Sequence, residues 1–169
     1  ELPEDIAKID TDSKPLKPFR FRRPVAGDKI LNQAVDQILK AKRPIIIAGN
    51  GCIRKRASKQ LRKLCEKTGI GVISTFMAKG CIDMDKDYCL YTIGLQARDV
   101  IACALDHADL IITLGYDMVE YHPTLWNHNK DKKIIHVDFL PTEIDEHYHP
   151  ETEVIGDLAH TLWMMNERF

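Results

Sequence analysis

No stretch of this sequence approaches the roughly 18 consecutive apolar residues that mark a membrane-spanning helix. The start, Glu1-Leu2-Pro3-Glu4-Asp5-Ile6, has neither the basic opening nor the apolar stretch of a secretory signal. It also lacks an initiator Met, so the chain is expected to begin inside something longer. Charge of one sign is missing too: 24 Lys+Arg stand against 25 Asp+Glu, a formal net charge of -1, which gives no electrostatic reason to expect a nucleic acid or an anionic membrane as partner. Among the five cysteines (Cys52, Cys65, Cys81, Cys89 and Cys103) there is no C-x-x-C pair, which excludes a zinc knuckle or a thioredoxin-like motif. Cys65 and Cys103 fall on apolar faces of predicted helices, where a reduced thiol packs as a small hydrophobe, so the set reads as reduced and the protein as cytoplasmic. Neither a nucleophile elbow nor a Ser-His-Asp ordering occurs.

What is present is an ordinary globular composition, 44% hydrophobic and 29% charged over 169 residues, enough for one domain with a buried core. Residues 1–24 carry Pro3, Pro15, Pro18 and Pro24 among charges without a sustained period, and read as an extended interdomain linker. Residues 25–169 read as the domain. Asp28 is placed as the N-cap of a helix whose apolar face is Ile30, Leu31, Ala34, Val35, Ile38 and Leu39. Pro44 ends that pattern. The β-branched run Ile45-Ile46-Ile47-Ala48 then suits a parallel strand covered on both faces. A basic amphipathic helix follows with Leu61, Leu64 and Cys65 inward, Gly69 stops it, and Gly71 to Thr75 is a second strand. Met77 to Thr92 reads as turn-rich, and a helix is expected from about Ala97 to Asp106. Strands are predicted at Asp109 to Gly115, Lys133 to Asp138 and Val154-Ile155, with a last helix from Asp157. The alternation predicts a doubly wound, mostly parallel α/β sheet with helices on both faces, whose ligands sit beyond the carboxyl ends of the strands.

The residues just after each strand therefore carry the functional reading. Gly49-Asn50-Gly51 lies at a strand-to-helix turn, where missing Cβ atoms let backbone amides approach a diphosphate. It is equally the composition of a tight turn without ligand. Arg54 stands where the third glycine of G-x-G-x-x-G belongs, so the dinucleotide pattern is incomplete. Asp138, ending its strand, suits either the two hydroxyls of a ribose or a cap for the segment that follows. Asp117 and Glu120 form a loop carboxylate pair that no neighbouring feature marks as a general base. His147 and His149 flank Tyr148, but Pro150 makes the stretch loop-like, and no metal site is expected there. The residues by themselves describe a nucleotide-sized crevice without a reaction centre.

Several stretches together resemble a family. Glu1-Leu2-Pro3-Glu4-Asp5-Ile6-Ala7 resembles the tail of the N-terminal, pyrimidine-binding domain of acetolactate synthases. Arg43 to Gly51 resembles the first strand and turn of their central domain. Gly115-Tyr116-Asp117-Met118-Val119-Glu120-Tyr121-His122-Pro123, Ile134 to Asp138 and Asp145-Glu146-His147-Tyr148 resemble later segments, particularly of the catabolic, pyruvate-condensing type.

The resemblance implies a Rossmann-like, DHS-like NAD/FAD-binding fold inside a three-domain parent that uses thiamine diphosphate and Mg²⁺. In that family the N-terminal domain supplies the activating glutamate and the C-terminal domain the diphosphate and Mg²⁺ site, so no catalytic residue is expected in this chain. The parent is expected to be a homo-oligomer joining two pyruvates into 2-acetolactate with loss of CO₂. Gly49, Asn50, Gly51, Asp117 and Asp138 are the candidate, vestigial nucleotide crevice. Anabolic relatives bind FAD and typically carry Gly-x-x-Phe-Asp-Asp-Arg after the strand that here ends at Gly115. Met118, Val119, Glu120 and Tyr121 occupy the last four of those positions, so FAD is not expected.

Overall fold

The computed structural model describes residues 3–19, 22–94 and 100–169. Among these, the strands are β1 (Pro44–Ala48), β2 (Gly71–Thr75), β3 (Cys89–Ile93), β4 (Leu110–Leu114), β5 (Lys133–Asp138) and β6 (Thr152–Ile155), and the helices are α1 (Glu4–Ala7), α2 (Asp28–Lys40), α3 (Lys55–Thr68), α4 (Ala102–His107) and α5 (Leu158–Asn166). All strand pairs are parallel, in the order β3-β2-β1-β4-β5-β6. From β1 the chain winds outward through β2 to β3. It then returns to pair β4 on the other side of β1, so the winding reverses between β1 and β4.

Strand alternation sorts the core into two layers. Ile46 and Ala48 of β1 join Leu31 and Ile38 of α2, Leu61 and Leu64 of α3, and Leu162 and Met165 of α5. Ile45 and Ile47 face the opposite layer, where Leu105 of α4 meets the loop aromatics Tyr116, Trp126 and Tyr148. Ile46 and Ile47 have no exposed surface, as expected for a central strand covered on both sides. Each such side chain contributes about 1.5–3 kcal/mol through burial. Gly69, in the left-handed region at φ 68°, caps α3 with its N–H donated to the Cys65 carbonyl.

Five expectations are corrected. Asp28 is the first helical residue of α2 and Gly27 is its N-cap; the Asp28 carboxylate instead accepts from Arg168 Nη2 at 2.5 Å. Leu39, assigned to the buried face, is 66% exposed because it lies just beyond the stripe formed by Leu31, Ala34, Val35 and Ile38. Residues 77–92 are not turns alone, since β3 begins at Cys89 and pairs with β2 at the sheet edge. The region read as linker contains the short helix α1, whose residues are all exposed. Cys103 is exposed rather than packed, whereas Cys65 is buried as expected. Part of the helix expected from Ala97 lies outside the described residues; α4 runs from Ala102 to His107.

Candidate functional site

The crevice forms where the winding reverses, beyond the carboxyl ends of β1, β4 and β5. A cavity of about 610 Å³ opens there, with Asn50 and Gly51 from the β1 turn, Asp117 and Met118 from the β4 loop, and Asp138 and Leu140 from the end of β5. Four of the predicted residues, Asn50, Gly51, Asp117 and Asp138, thus share one cavity lining. Gly49 is not part of that lining.

The glycines are explained by a neighbouring loop. Gly49 N–H donates to the Leu114 carbonyl at 2.9 Å and Gly51 N–H to the Gly115 carbonyl at 3.0 Å. A Cβ on Gly49 would stand 2.3 Å from the Gly115 carbonyl oxygen and 2.5 Å from Tyr116 Cα. Gly115 itself sits at φ 54°, and a Cβ there would come within 2.7 Å of Gly51 Cα and 2.9 Å of Leu158 Cδ2. Backbone packs directly on backbone, held from the third strand by Gly115 N–H donating to the Val137 carbonyl at 3.0 Å. The close approach that glycine permits is therefore taken up by protein, and the Gly49 and Gly51 amides are engaged within the fold.

Asp138 Oδ1 accepts from the amides of Phe139 at 2.5 Å and Leu140 at 3.4 Å. Its carboxylate caps the turn that follows β5, which is one of the two roles its position allowed, and its side chain still borders the cavity. Asp117 Oδ1 accepts from Val119 N–H at 2.9 Å, so it too orders its own loop. On the cationic side, Arg23 Nη1 donates to Asp157 Oδ2 at 2.5 Å, and Arg54 stands at the N-cap of α3.

The cavity floor is a polar chain that sequence reading did not find. His136, 4% exposed, donates from Nε2 to the Leu140 carbonyl at 3.1 Å. In the neutral ring Nδ1 then accepts from Tyr148 OH at 2.9 Å, and Thr113 Oγ1 lies 2.5 Å from the same phenol oxygen. Tyr116 OH donates to the Tyr121 carbonyl and accepts from Trp126 Nε1 at 3.1 Å. Burial pushes both the Tyr116 and Tyr148 phenols up, so they remain protonated donors. The only sequence signal was the aromatic character of Tyr116, Trp126 and Tyr148 in loops, where bulky apolar side chains call for a core to enter.

His147 Nδ1 lies 3.7 Å from Asp145 Oδ1, and His122 Nε2 lies 3.8 Å from Asp145 Oδ2. His149 is exposed. Among the described residues no group of three His, Cys, Asp or Glu side chains suits a metal ion. Nor do the cavity residues assemble a nucleophile, a base and an orienting partner. Chemically the arrangement can enclose a small molecule and order its own walls.

The family described as "Thiamine pyrophosphate enzyme, central domain" matches residues 31–165. The chain is 34% identical over 164 residues to the acetolactate synthase of Bacillus subtilis (strain 168), covering 95% of this chain and 29% of that protein. It is 29% identical over 171 residues to the glyoxylate carboligase of Escherichia coli O157:H7, covering 99% of this chain and 29% of the relative. It is also 29% identical over 165 residues to a probable acetolactate synthase large subunit of Methanococcus aeolicus, covering 93% and 28% respectively. The chain thus spans less than a third of the length of these relatives. With the sheet order, the reversal-point crevice and a family match over most of its length, this chain belongs to the central domains of thiamine pyrophosphate enzymes.

Proposed function

We propose that this chain is the non-catalytic middle domain of an acetolactate synthase that condenses two pyruvates into 2-acetolactate and CO₂. The observation that carries this reading is the 34% identity to an acetolactate synthase across 95% of the chain. Thiamine diphosphate and Mg²⁺ are bound outside this domain, the N- and C-terminal domains of the same polypeptide are its partners, and the parent is a cytoplasmic homo-oligomer. Thiamine diphosphate supplies carbanion stabilisation when bound. Residues 1–24 link the domains, and residues 25–169 act as a scaffold between the catalytic ones. The residues of the crevice do not fit a flavin diphosphate, because the Gly49 and Gly51 amides are already donated and the Asp138 carboxylate already holds two amides. A dinucleotide needs several anchors to offset its lost freedom on binding, and here they are taken up within the fold.

A second reading, a retained nucleotide or flavin site, is favoured by the 610 Å³ cavity bordered by Asp138 at a strand end. The test is direct. The full-length polypeptide is expected to form acetolactate from pyruvate when given thiamine diphosphate and Mg²⁺, to prefer pyruvate over glyoxylate, and to show no flavin absorbance. The 169-residue chain alone is expected to form none above a cofactor-only blank. Glyoxylate preference would move the parent toward the carboligase relative. Stoichiometric flavin, or submicromolar FAD affinity by calorimetry, would establish the second reading.

A further inference from the structure

Asp145, in the loop after β5, stands between two imidazoles. His122, in the loop after β4, brings Nε2 to 3.8 Å from Asp145 Oδ2, and His147 brings Nδ1 to 3.7 Å from Oδ1. Both separations exceed a hydrogen bond, so these contacts draw their strength from charge on the ring. Asp145 Oδ1 also accepts the His147 amide at 2.8 Å. That amide chiefly, with the two imidazoles adding to it, holds the Asp145 carboxyl below its ordinary 3.8. The charges facing the cluster from the two loops are Lys130 of the first and Glu146 of the second, and they pair with each other. Asn127 Nδ2 of the first loop donates to the His147 carbonyl at 2.7 Å. The second loop also supplies part of the crevice wall through Pro141, Glu143 and Tyr148.

His122 shows what one proton changes. It is the N-cap of the short 3-10 turn Pro123–Leu125, and its Nδ1 accepts the Thr124 amide at 3.3 Å. That role requires the neutral ring, with its proton on Nε2 toward Asp145. A second proton, taken from solvent, makes Nδ1 a donor, and Thr124 Oγ1 at 3.0 Å accepts it. The amide of exposed Thr124 then turns to water, and the ring faces Asp145 as a cation.

We propose that His122 and His147 form an acid-tightened clasp on Asp145, which fastens the loop after β4 to the loop after β5 and stiffens that wall of the crevice. Imidazole is the side chain whose ordinary titration lies between pH 5 and 8. The clasp is strongest where the rings are protonated and Asp145 is ionised. It loosens as pH rises and the imidazoles lose their charge. It loosens again only at the acid extreme, below pH 3.8, as Asp145 is neutralised. One carboxylate serves two cations, so the first proton gains more than the second. The Lys130–Glu146 pair keeps both charges between pH 5 and 8 and sets a constant baseline.

Peptide-resolved hydrogen exchange on the full-length polypeptide tests this, with rates expressed as protection factors to remove the intrinsic effect of pH. Amides of residues 122–127 and 142–148 are expected to be about two- to fivefold better protected at pH 5.5 than at pH 8, the range two partly exposed ion pairs provide. Amides of residues 45–47 report global opening and serve as the reference. Asp145→Asn keeps an oxygen for the His147 amide and removes the charge. It is expected to abolish the gain at pH 5.5 and leave protection at pH 8 unchanged. Should that variant fail to fold, His122→Asn, which retains a capping side chain, is expected to lose part of the gain. Added salt at 0.5 M is expected to shrink the gain in the parent sequence. The proposal is overturned by equal protection of the loops at the two pH values, by a gain that survives Asp145→Asn, or by a loss in that variant that is the same at both pH values. A gain indifferent to both His122→Asn and salt overturns it as well.

Discussion

Gly51 and Gly115 meet backbone to backbone: the Gly51 N–H donates to the Gly115 carbonyl at 3.0 Å, and a Cβ on either would stand within 2.8 Å of the other's Cα. This contact joins the turn after β1 to the loop after β4 at the point where the sheet reverses its winding.

Gly51→Ala is therefore expected to destabilise the chain by about 1–3 kcal/mol, the usual range for overpacking, since the obstructing atoms are main chain and cannot rotate away. Urea unfolding monitored by circular dichroism measures it. An unchanged midpoint would mean that the two loops stand apart in solution.

Asp157 gives a pH dependence with a definite sign. It is the N-cap of α5, accepting from His160 N–H at 3.0 Å, and it pairs with Arg23 at 2.5 Å. Burial opposes its ionisation, yet the Arg23 guanidinium and the His160 amide prevail and hold its carboxyl below the ordinary 3.8. A depressed carboxylate stabilises the fold above its unfolded value, and that stabilisation is lost as pH falls through the folded one. Asp157→Asn keeps a capping oxygen and removes the charge. Thermal midpoints of parent and variant are expected to differ at pH 6 and to converge below pH 3.8. A gap that stays constant down to pH 2 would show that the charge contributes nothing.

The strands buried on both faces were legible because a central parallel strand needs apolar residues at every position, as at Ile45-Ile46-Ile47 and Leu110-Ile111-Ile112. The edge strand β3 was not. Its pairing with β2 shifts register between Val72 and Ser74, Tyr91 adopts φ 63°, and burial is incomplete, so neither alternation nor a continuous apolar run survives. The glycine turn was visible in the sequence but not the reason for it, because the backbone that requires Gly49 and Gly51 arrives from β4. The His136–Tyr148–Thr113 chain escaped notice because its members come from β4, β5 and a loop and meet only when the sheet assembles. The short capping roles of Asp117 and Asp138 are local and compete with a ligand-binding role that the same positions suggest.

Thiol chemistry is expected to follow burial. Burial pushes the Cys65 thiol up to about 12 and the Cys81 thiol up to about 11, and raises Cys52 as well. A protonated, enclosed sulfur reacts slowly. In the native chain at pH 8, a thiol-reactive dye should label exposed Cys103 first and half-buried Cys89 more slowly, with Cys52, Cys65 and Cys81 reacting only after denaturation. Rapid native labelling at Cys52, identified by peptide mass, would place an opening in the layer beneath α3.

The central position of β1 also governs the order in which the chain can complete itself. Ile45 to Ala48 pairs on one side with β2, which follows soon after it, and on the other with β4, which arrives only once residues 110–114 exist. During synthesis from the N-terminus, β1 therefore waits with one backbone edge unpaired, on a strand whose side chains are a run of isoleucines. Pairings between such distant segments close slowly, and an open apolar strand invites association with other chains. In the finished sheet the two outermost strands are less inviting, β3 through its bulge at Tyr91 and β6 through exposed Glu153. The interval of greatest aggregation risk is thus set by the topology: it begins when β1 leaves the ribosome and ends when β4 takes its place beside it.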